Sequence, residues 1–222
     1  MNFSAFEYWT DGWDDGSLMT RDYGIRLCSC GCFVLRREMA DVGNSKEADA
    51  PSMDYVLPSQ IDECIATAAS QEIEVAARRY RWHELNHSYR NDYRTHRNAE
   101  EASIQSIWEA ENPDRRSLWQ RITRREAPVY LRPKVSITFP EFFLSSAQAE
   151  NMTKLLELLI TTNTTRQRAR LLEVPELYRE LGRYSDAQRA IESVPHEYDP
   201  VARRLISGLI GEKKSALVRF RY

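Results

Sequence analysis

The sequence predicts a mainly α-helical protein with a small N-terminal β-rich subdomain. Three observations lead there. Residues 23–35, YGIRLCSCGCFVL, set β-forming residues on either side of Gly31, as one or two short strands with a tight turn would. From Ile61 toward Trp108, small and apolar residues follow a helical pattern. Residues 177–191, LYRELGRYSDAQRAI, place a helix, a glycine-anchored turn and a second helix within fifteen residues.

The elements follow in order. Residues 1–16 are aromatic and acidic, with turns at Gly12 and Gly16. After the 23–35 strands, residues 41–58 form a polar connector, the expected boundary between an N-terminal region, 1–58, and a helical region, 59–222. Ser59 is the expected cap of the next helix. Asn86, Asn91 and Asp92 are weak helix formers, so a break is expected between residues 86 and 98. Asn112-Pro113 ends this stretch, and a short helix is expected from there to Glu126. The three prolines of residues 128–140 suggest an irregular or edge strand. Ser145 or Ser146 caps a helix whose Leu155, Leu156, Leu158, Leu159 and Ile160 make a wide apolar face. The remaining helices are expected at 166–181, 185–194, 200–209 and 212–220, joined by connections short enough to force antiparallel packing.

The hairpin near residues 166–194 resembles the latter half of a tetratricopeptide repeat. Leu171, Tyr178 and Leu181 take the large apolar positions of the first helix, and Gly182 the turn. Tyr184 and Ala187 match the aromatic and small residues opening the second helix, and Ile191 its later large position. Pro175 occupies a position usually held by a small residue, and no second copy follows at a fixed period. The resemblance implies stacked helical hairpins and a protein-binding surface.

Composition narrows the function. Five Trp, eleven Tyr and seven Phe supply enough apolar area for a folded core. With 31 basic and 33 acidic residues, neither sign prevails, so long-range attraction to nucleic acid or anionic lipid is not implied. The N-terminus lacks a basic region followed by an apolar run, and the run LLELLI at 155–160 is too short to cross a bilayer. A cytoplasmic protein with no membrane contact is expected, its cysteines thiols or metal ligands.

Two clusters carry metal-ligating residue types. Cys28, Cys30 and Cys32 alternate, which on a strand puts three sulfurs on one face, and Cys64 or a histidine would complete a zinc site. The N-terminus resembles bacterial proteins in which YWTDG precedes a C-x-x-C-G knuckle; here Leu27 stands where the first cysteine would fall. Residues 83–87, HELNH, match H-E-x-x-H, which on a continuous helix sets His83 and His87 one turn apart on zinc with Glu84 as base. A third ligand would come from His96, Glu100, Glu101 or Glu109. The flanking arginines disfavour a second cation, so zinc is the alternative and no cofactor the expectation.

The expected function is therefore a non-catalytic protein binder, in one form a bacterial toxin-neutralising immunity protein and in another an adaptor. Its recognition face is expected to carry Arg79, Arg90, Arg94 and Arg97 with Trp82 and Tyr89 as anchors. The alternatives are a zinc hydrolase using HELNH, and a nucleic-acid binder using the same arginine and aromatic helix.

Overall fold

The computed structural model describes residues 7–15, 23–39, 53–113, 119, 130, 139–161 and 171–220. The helix expected between 113 and 126 and most of the 128–140 strand lie outside the described residues, as do the connector up to residue 52 and residues 162–170. Two compact units emerge, one of residues 1–87 with 142–222 and one of residues 88–141. The expected boundary after residue 58 therefore lies inside the first unit.

That unit contains two small antiparallel sheets. In one, β1 (Glu7–Trp9) lies between β2 (Asp14–Asp15) and β6 (Arg219–Phe220), with Tyr8 opposite both Asp14 and Phe220. The segment expected as a last helix thus ends as a strand. In the other, β3 (Ile25–Cys28) lies between β4 (Phe33–Leu35) and β5 (Met53–Tyr55). Its hairpin turns as expected: Gly31 takes a φ of 86°, its N–H reaches the Cys28 carbonyl at 2.8 Å, and Cys28 N–H reaches that of Cys32 at 2.9 Å. β5 falls within the expected connector. Leu27, opposite Asp54, accepts this third strand on its free edge, and the Arg26 guanidinium lies 4.2 Å from the Tyr55 ring centroid.

The long helical pattern resolves into three helices, α1 (Ile61–Ala66), α2 (Gln71–Leu85) and α3 (His87–Glu111). Ser70, and not Ser59, caps the long one, its hydroxyl accepting from Ile73 N–H at 3.3 Å. The second interruption is a single residue, Asn86. α4 (Ser146–Thr161) opens on a reciprocal cap, Gln148 N–H to Ser145 Oγ at 3.2 Å and Ser145 N–H to Gln148 Oε1 at 3.0 Å. Its apolar face is narrower than expected, because Ile160 is exposed.

α5 (Glu173–Glu180), α6 (Tyr184–Glu192) and α7 (Pro200–Gly211) follow. Pro175 sits in the first turn of α5, where a backbone N–H has no helical acceptor, so the proline costs little. Gly182 turns the chain at φ 72°, and Ala187, fully buried, lets α6 approach its neighbours.

Three apolar clusters hold this unit. β3 and β4 meet α1 and α2 through Ile25, Phe33, Leu35, Cys64, Ile73 and Ala77. α2, α4 and α5 share Val75, Trp82, Met152, Leu155 and Leu177. Ala187 and Ile191 of α6 meet Ile206 and Ile210 of α7. No helix among the described residues is long and apolar enough to cross a membrane. The second unit carries nearly all of α3, along which Tyr89 reaches the Pro140 carbonyl, Tyr93 packs near Phe139 and Trp108 meets Tyr130 edge-on.

Candidate functional site

The turn between β1 and β2 is built from Trp9-Thr10-Asp11-Gly12-Trp13. Gly12 takes a φ of 76°, Trp9 N–H donates to the Trp13 carbonyl at 2.8 Å, and the Asp11 carboxylate accepts from Trp13 N–H at 3.0 Å. Asp11 itself is buried. What receives it is the HELNH segment: His83 Nε2 lies 3.0 Å from the Asp11 carbonyl, and Asn86 Nδ2 donates to Asp11 Oδ2 at 3.2 Å.

This placement gives the HELNH side chains partners inside the protein. A carbonyl only accepts, so His83 Nε2 carries the proton, and Nδ1 faces the Tyr23 hydroxyl at 2.9 Å. Both ring nitrogens are thus engaged within the protein. Trp82 stacks on the ring and Trp13 meets it edge-on. Asn86 marks the end of α2, and His87, exposed, opens α3. Glu84 lies on α2, half-buried.

Behind the turn lies a second polar layer. Glu180 is almost fully buried; its Oε2 accepts from Trp82 Nε1 at 3.1 Å and Asn86 Nδ2 at 3.2 Å, while no hydrogen bond reaches Oε1. Burial, with the Glu176 and Asp11 carboxylates nearby, pushes the Glu180 carboxyl well above its ordinary range. Asn86 completes its own set by accepting from Gln148 Nε2 at 3.1 Å. Beside it, Arg179 forks onto both oxygens of Glu176 and donates to the carbonyls of Lys214 and Ala216. Burial is the largest single influence and works against its charge, but Glu176 together with Glu180 and Tyr184 holds the guanidinium pKa above its usual value. Thr10 Oγ1 accepts from Val218 N–H at 3.2 Å, so the β1–β2 turn and the segment leading to β6 are fastened together.

These fastenings leave a cleft of about 310 Å³ between the small β2–β1–β6 sheet and the C-terminal helices. Five of its lining residues are aromatic, Tyr8, Trp9, Trp13, Tyr198 and Phe220, and four are acidic, Asp11, Asp14, Glu173 and Asp199. Lys, Arg and His are absent from the lining among the described residues. Tyr8 and Phe220 form a cross-strand ring pair with centroids 6.0 Å apart. Asp199 takes a φ of 37°, unusual for a residue with a side chain, and its Oδ1 caps α7 through Ala202 N–H at 3.1 Å.

The expected recognition face is not a free surface. Arg79 is buried and held bidentately by Glu173, with both bonds 2.8 Å, and Trp82 lies in the core. Arg90, Arg97 and Tyr89 are buried as well; Arg97 pairs with Glu100, and half-buried Arg94 donates to Asn91 at 3.1 Å. Long helical side chains with apolar stems are expected to lie outward, whereas bonds to carboxylates let the guanidiniums turn in.

The cysteines are likewise dispersed in character. Cys30 and Cys32 are exposed at the hairpin tip, Cys28 is half-buried, and Cys64 lies in the apolar cluster under β3. Burial, with Glu63 beside it, pushes the Cys64 thiol up to about 11, which opposes the thiolate a metal needs. Among the described residues no group of three or more His, Cys, Asp or Glu is placed to hold a metal ion. The residues that sequence reasoning misses are Asp11, Glu176, Arg179 and Glu180 inside and Tyr198 and Asp199 at the cleft; the density of Tyr and Trp near the YWTDG turn is the available signal. Comparison with known families, curated proteins and solved structures returns no match.

Proposed function

We propose that this protein is a non-catalytic protein binder and that the cleft beside the β1–β2 turn is its recognition site. The observation that carries the reading is the cleft's lining: four half-buried aromatic residues, Tyr8, Trp13, Tyr198 and Phe220, beside the buried Trp9, on a framework locked by Asp11, Asn86 and Arg179. Aromatic side chains held rigid lose little entropy when a partner covers them, which is why they dominate the energetics of interfaces. The polar layer behind the cleft supports the same reading, since Glu180 bonds inward to Trp82 and Asn86 and is not among the lining residues. A toxin-neutralising or adaptor protein works in this way, by stoichiometric coverage of its partner's surface.

Photo-crosslinking tests it. A benzophenone amino acid at position 198, beside the cleft, should capture one protein from lysate in about equal amount at physiological salt. The same group at Lys154, exposed on α4, should capture none. Equal capture from both positions, or none from position 198, would sink the reading.

A further inference from the structure

We propose that the tip of the β3–β4 hairpin is a reversible dithiol–disulfide site, in which Cys28 and Cys32 close a bond across the turn by exchange with a low-molecular-weight disulfide. The proposal is independent of the cleft. Its first support is register. β3 and β4 pair Ile25 with Leu35 and Leu27 with Phe33, so the next step along the ladder sets Cys28 against Cys32. The Cys28 N–H, donating to the Cys32 carbonyl at 2.9 Å, closes that pair. Residues opposed and bonded in this way have Cα atoms about 5.5 Å apart, inside the range a disulfide spans, and their side chains share a face. Leu27 and Phe33 pack into the core beneath, so Cys28 and Cys32 stand on the opposite face of the hairpin. Gly31, at a φ of 86°, fixes the turn that joins them.

The second support is access. Exchange needs one sulfur open to the reagent and another close behind it. Cys32 is exposed and Cys28 half-buried, whereas Cys64 lies in the apolar cluster under β3. The Cys28 sulfur accepts the Cys30 N–H at 3.4 Å, which holds it at the turn end of its strand, where Cys32 also lies. The chemistry then runs in two steps. The Cys32 thiolate attacks one sulfur of a small disulfide such as oxidised glutathione, forming a mixed disulfide and releasing one glutathione thiolate. Cys28, its proton passed to solvent, attacks the Cys32 sulfur, forms the Cys28–Cys32 bond and expels the second thiolate. The chain loses two electrons and two protons, and the small disulfide is reduced to two thiols. Exposed disulfides of this kind are the labile ones, so excess reduced glutathione reverses both steps.

The test equilibrates the full reduced chain with reduced and oxidised glutathione over a range of ratios, then quenches with acid, alkylates the remaining thiols and weighs the products. The wild type should pass to a monomer lacking two hydrogens and carrying no glutathione, and return under excess reduced glutathione. Cys30→Ser should oxidise within about threefold of the wild-type ratio. Cys28→Ser and Cys32→Ser should each need at least about tenfold more oxidised glutathione to form an internal disulfide, and should hold a mixed glutathione adduct in its place. Cysteine Cβ NMR shifts, which move on oxidation, identify the pair in the wild type without any substitution; they should change at Cys28 and Cys32 and stay at Cys30 and Cys64. Four results would overturn the proposal: no internal disulfide at any ratio, a Cys28→Ser chain that oxidises as readily as wild type, an oxidised Cβ shift at Cys30, or conversion chiefly to disulfide-linked dimers in dilute solution.

Discussion

In the α5–α6 hairpin, Arg179 and Glu176 are fully buried, whereas Arg183, Asp186 and Arg189 stand at the surface a few residues further on. Both groups are arginine–carboxylate pairs spaced three residues apart. In the surface group both arginines reach solvent, each bonds Asp186, and Arg183 also lies 4.7 Å from the Tyr178 ring centroid. The interior one is held from three directions, by Glu176, by the carbonyls of Lys214 and Ala216, and by Thr10 at 3.5 Å. A charge taken out of water must have its donors satisfied, and here satisfying them draws the C-terminal segment and the β1–β2 turn onto α5. The buried pair therefore shapes the cleft, while the exposed group decorates a helix.

The sharpest way to break this contrast is Arg179→Leu. It strands Glu176 in the interior and frees two carbonyls, so a loss of about 3–5 kcal/mol is expected in urea unfolding, with β6 loosened from β1. Adding Glu176→Leu should restore part of the loss, since removing both charges leaves neither stranded. A single-variant loss below about 1 kcal/mol would place Arg179 in the same class as Arg183.

Asn86→Ala ranks next. One amide bridges Asp11, Glu180 and Gln148, and alanine leaves three buried polar partners short by one bond each. About 2–3 kcal/mol should be lost, because unmade buried bonds cost more than made ones contribute. The Asp11 turn should also become mobile, read as broadened Gly12 and Trp13 amides.

Glu180→Gln sharpens the comparison through pH. The folded carboxyl titrates well above 4.5, mainly because it is buried and secondly because Glu176 and Asp11 lie near. Below that value both folded and unfolded chains hold the proton, and the group adds no pH dependence. As pH rises past it, the unfolded chain releases a proton the folded chain keeps, so wild-type stability falls until the folded carboxyl ionises. A glutamine amide in its place cannot titrate. The variant should therefore gain on wild type as pH rises above about 5, measured as the difference in urea midpoint. A constant difference across that range would mean Glu180 titrates normally.

How far the sequence announces these things depends on range. The hairpin at Gly182, the turn at Gly31, the end of the long pattern near Asn112 and the weakness at Asn86 are local signals, carried by residues that specify their own backbone. The third strand β5 and the pairing of β6 with β1 are not local, since a short strand is selected by the edge it finds. The burial of Arg79, Arg90 and Arg97 is not a local property either. Arg79 is drawn inward by Glu173, ninety-four residues away, and no spacing along α2 encodes that partner. The HELNH pattern assumes an unbroken helix, and Asn86 within it both marks the end of α2 and bonds to Asp11. The cleft is legible only as an excess of aromatics near the N-terminus, its other wall lying some 190 residues on, at Tyr198.

The smallest expected effect is the one that completes the contrast. The Asp186 carboxyl is lowered by its bonds to Arg189 and then Arg183, yet it lies at the surface beside solvent-facing arginines. A lowered carboxyl adds stability above its ordinary range and loses it as pH falls through the folded value, the opposite slope to Glu180. Water and salt screen this group, so Asp186→Asn should leave the urea midpoint unchanged within error at physiological ionic strength and neutral pH. A small loss emerging only at low salt fits a solvated group, because screening falls with ionic strength. A loss at physiological salt matching that of Asn86→Ala would show that the surface triad fastens α6 as the interior pair fastens α5, and burial would no longer distinguish the two.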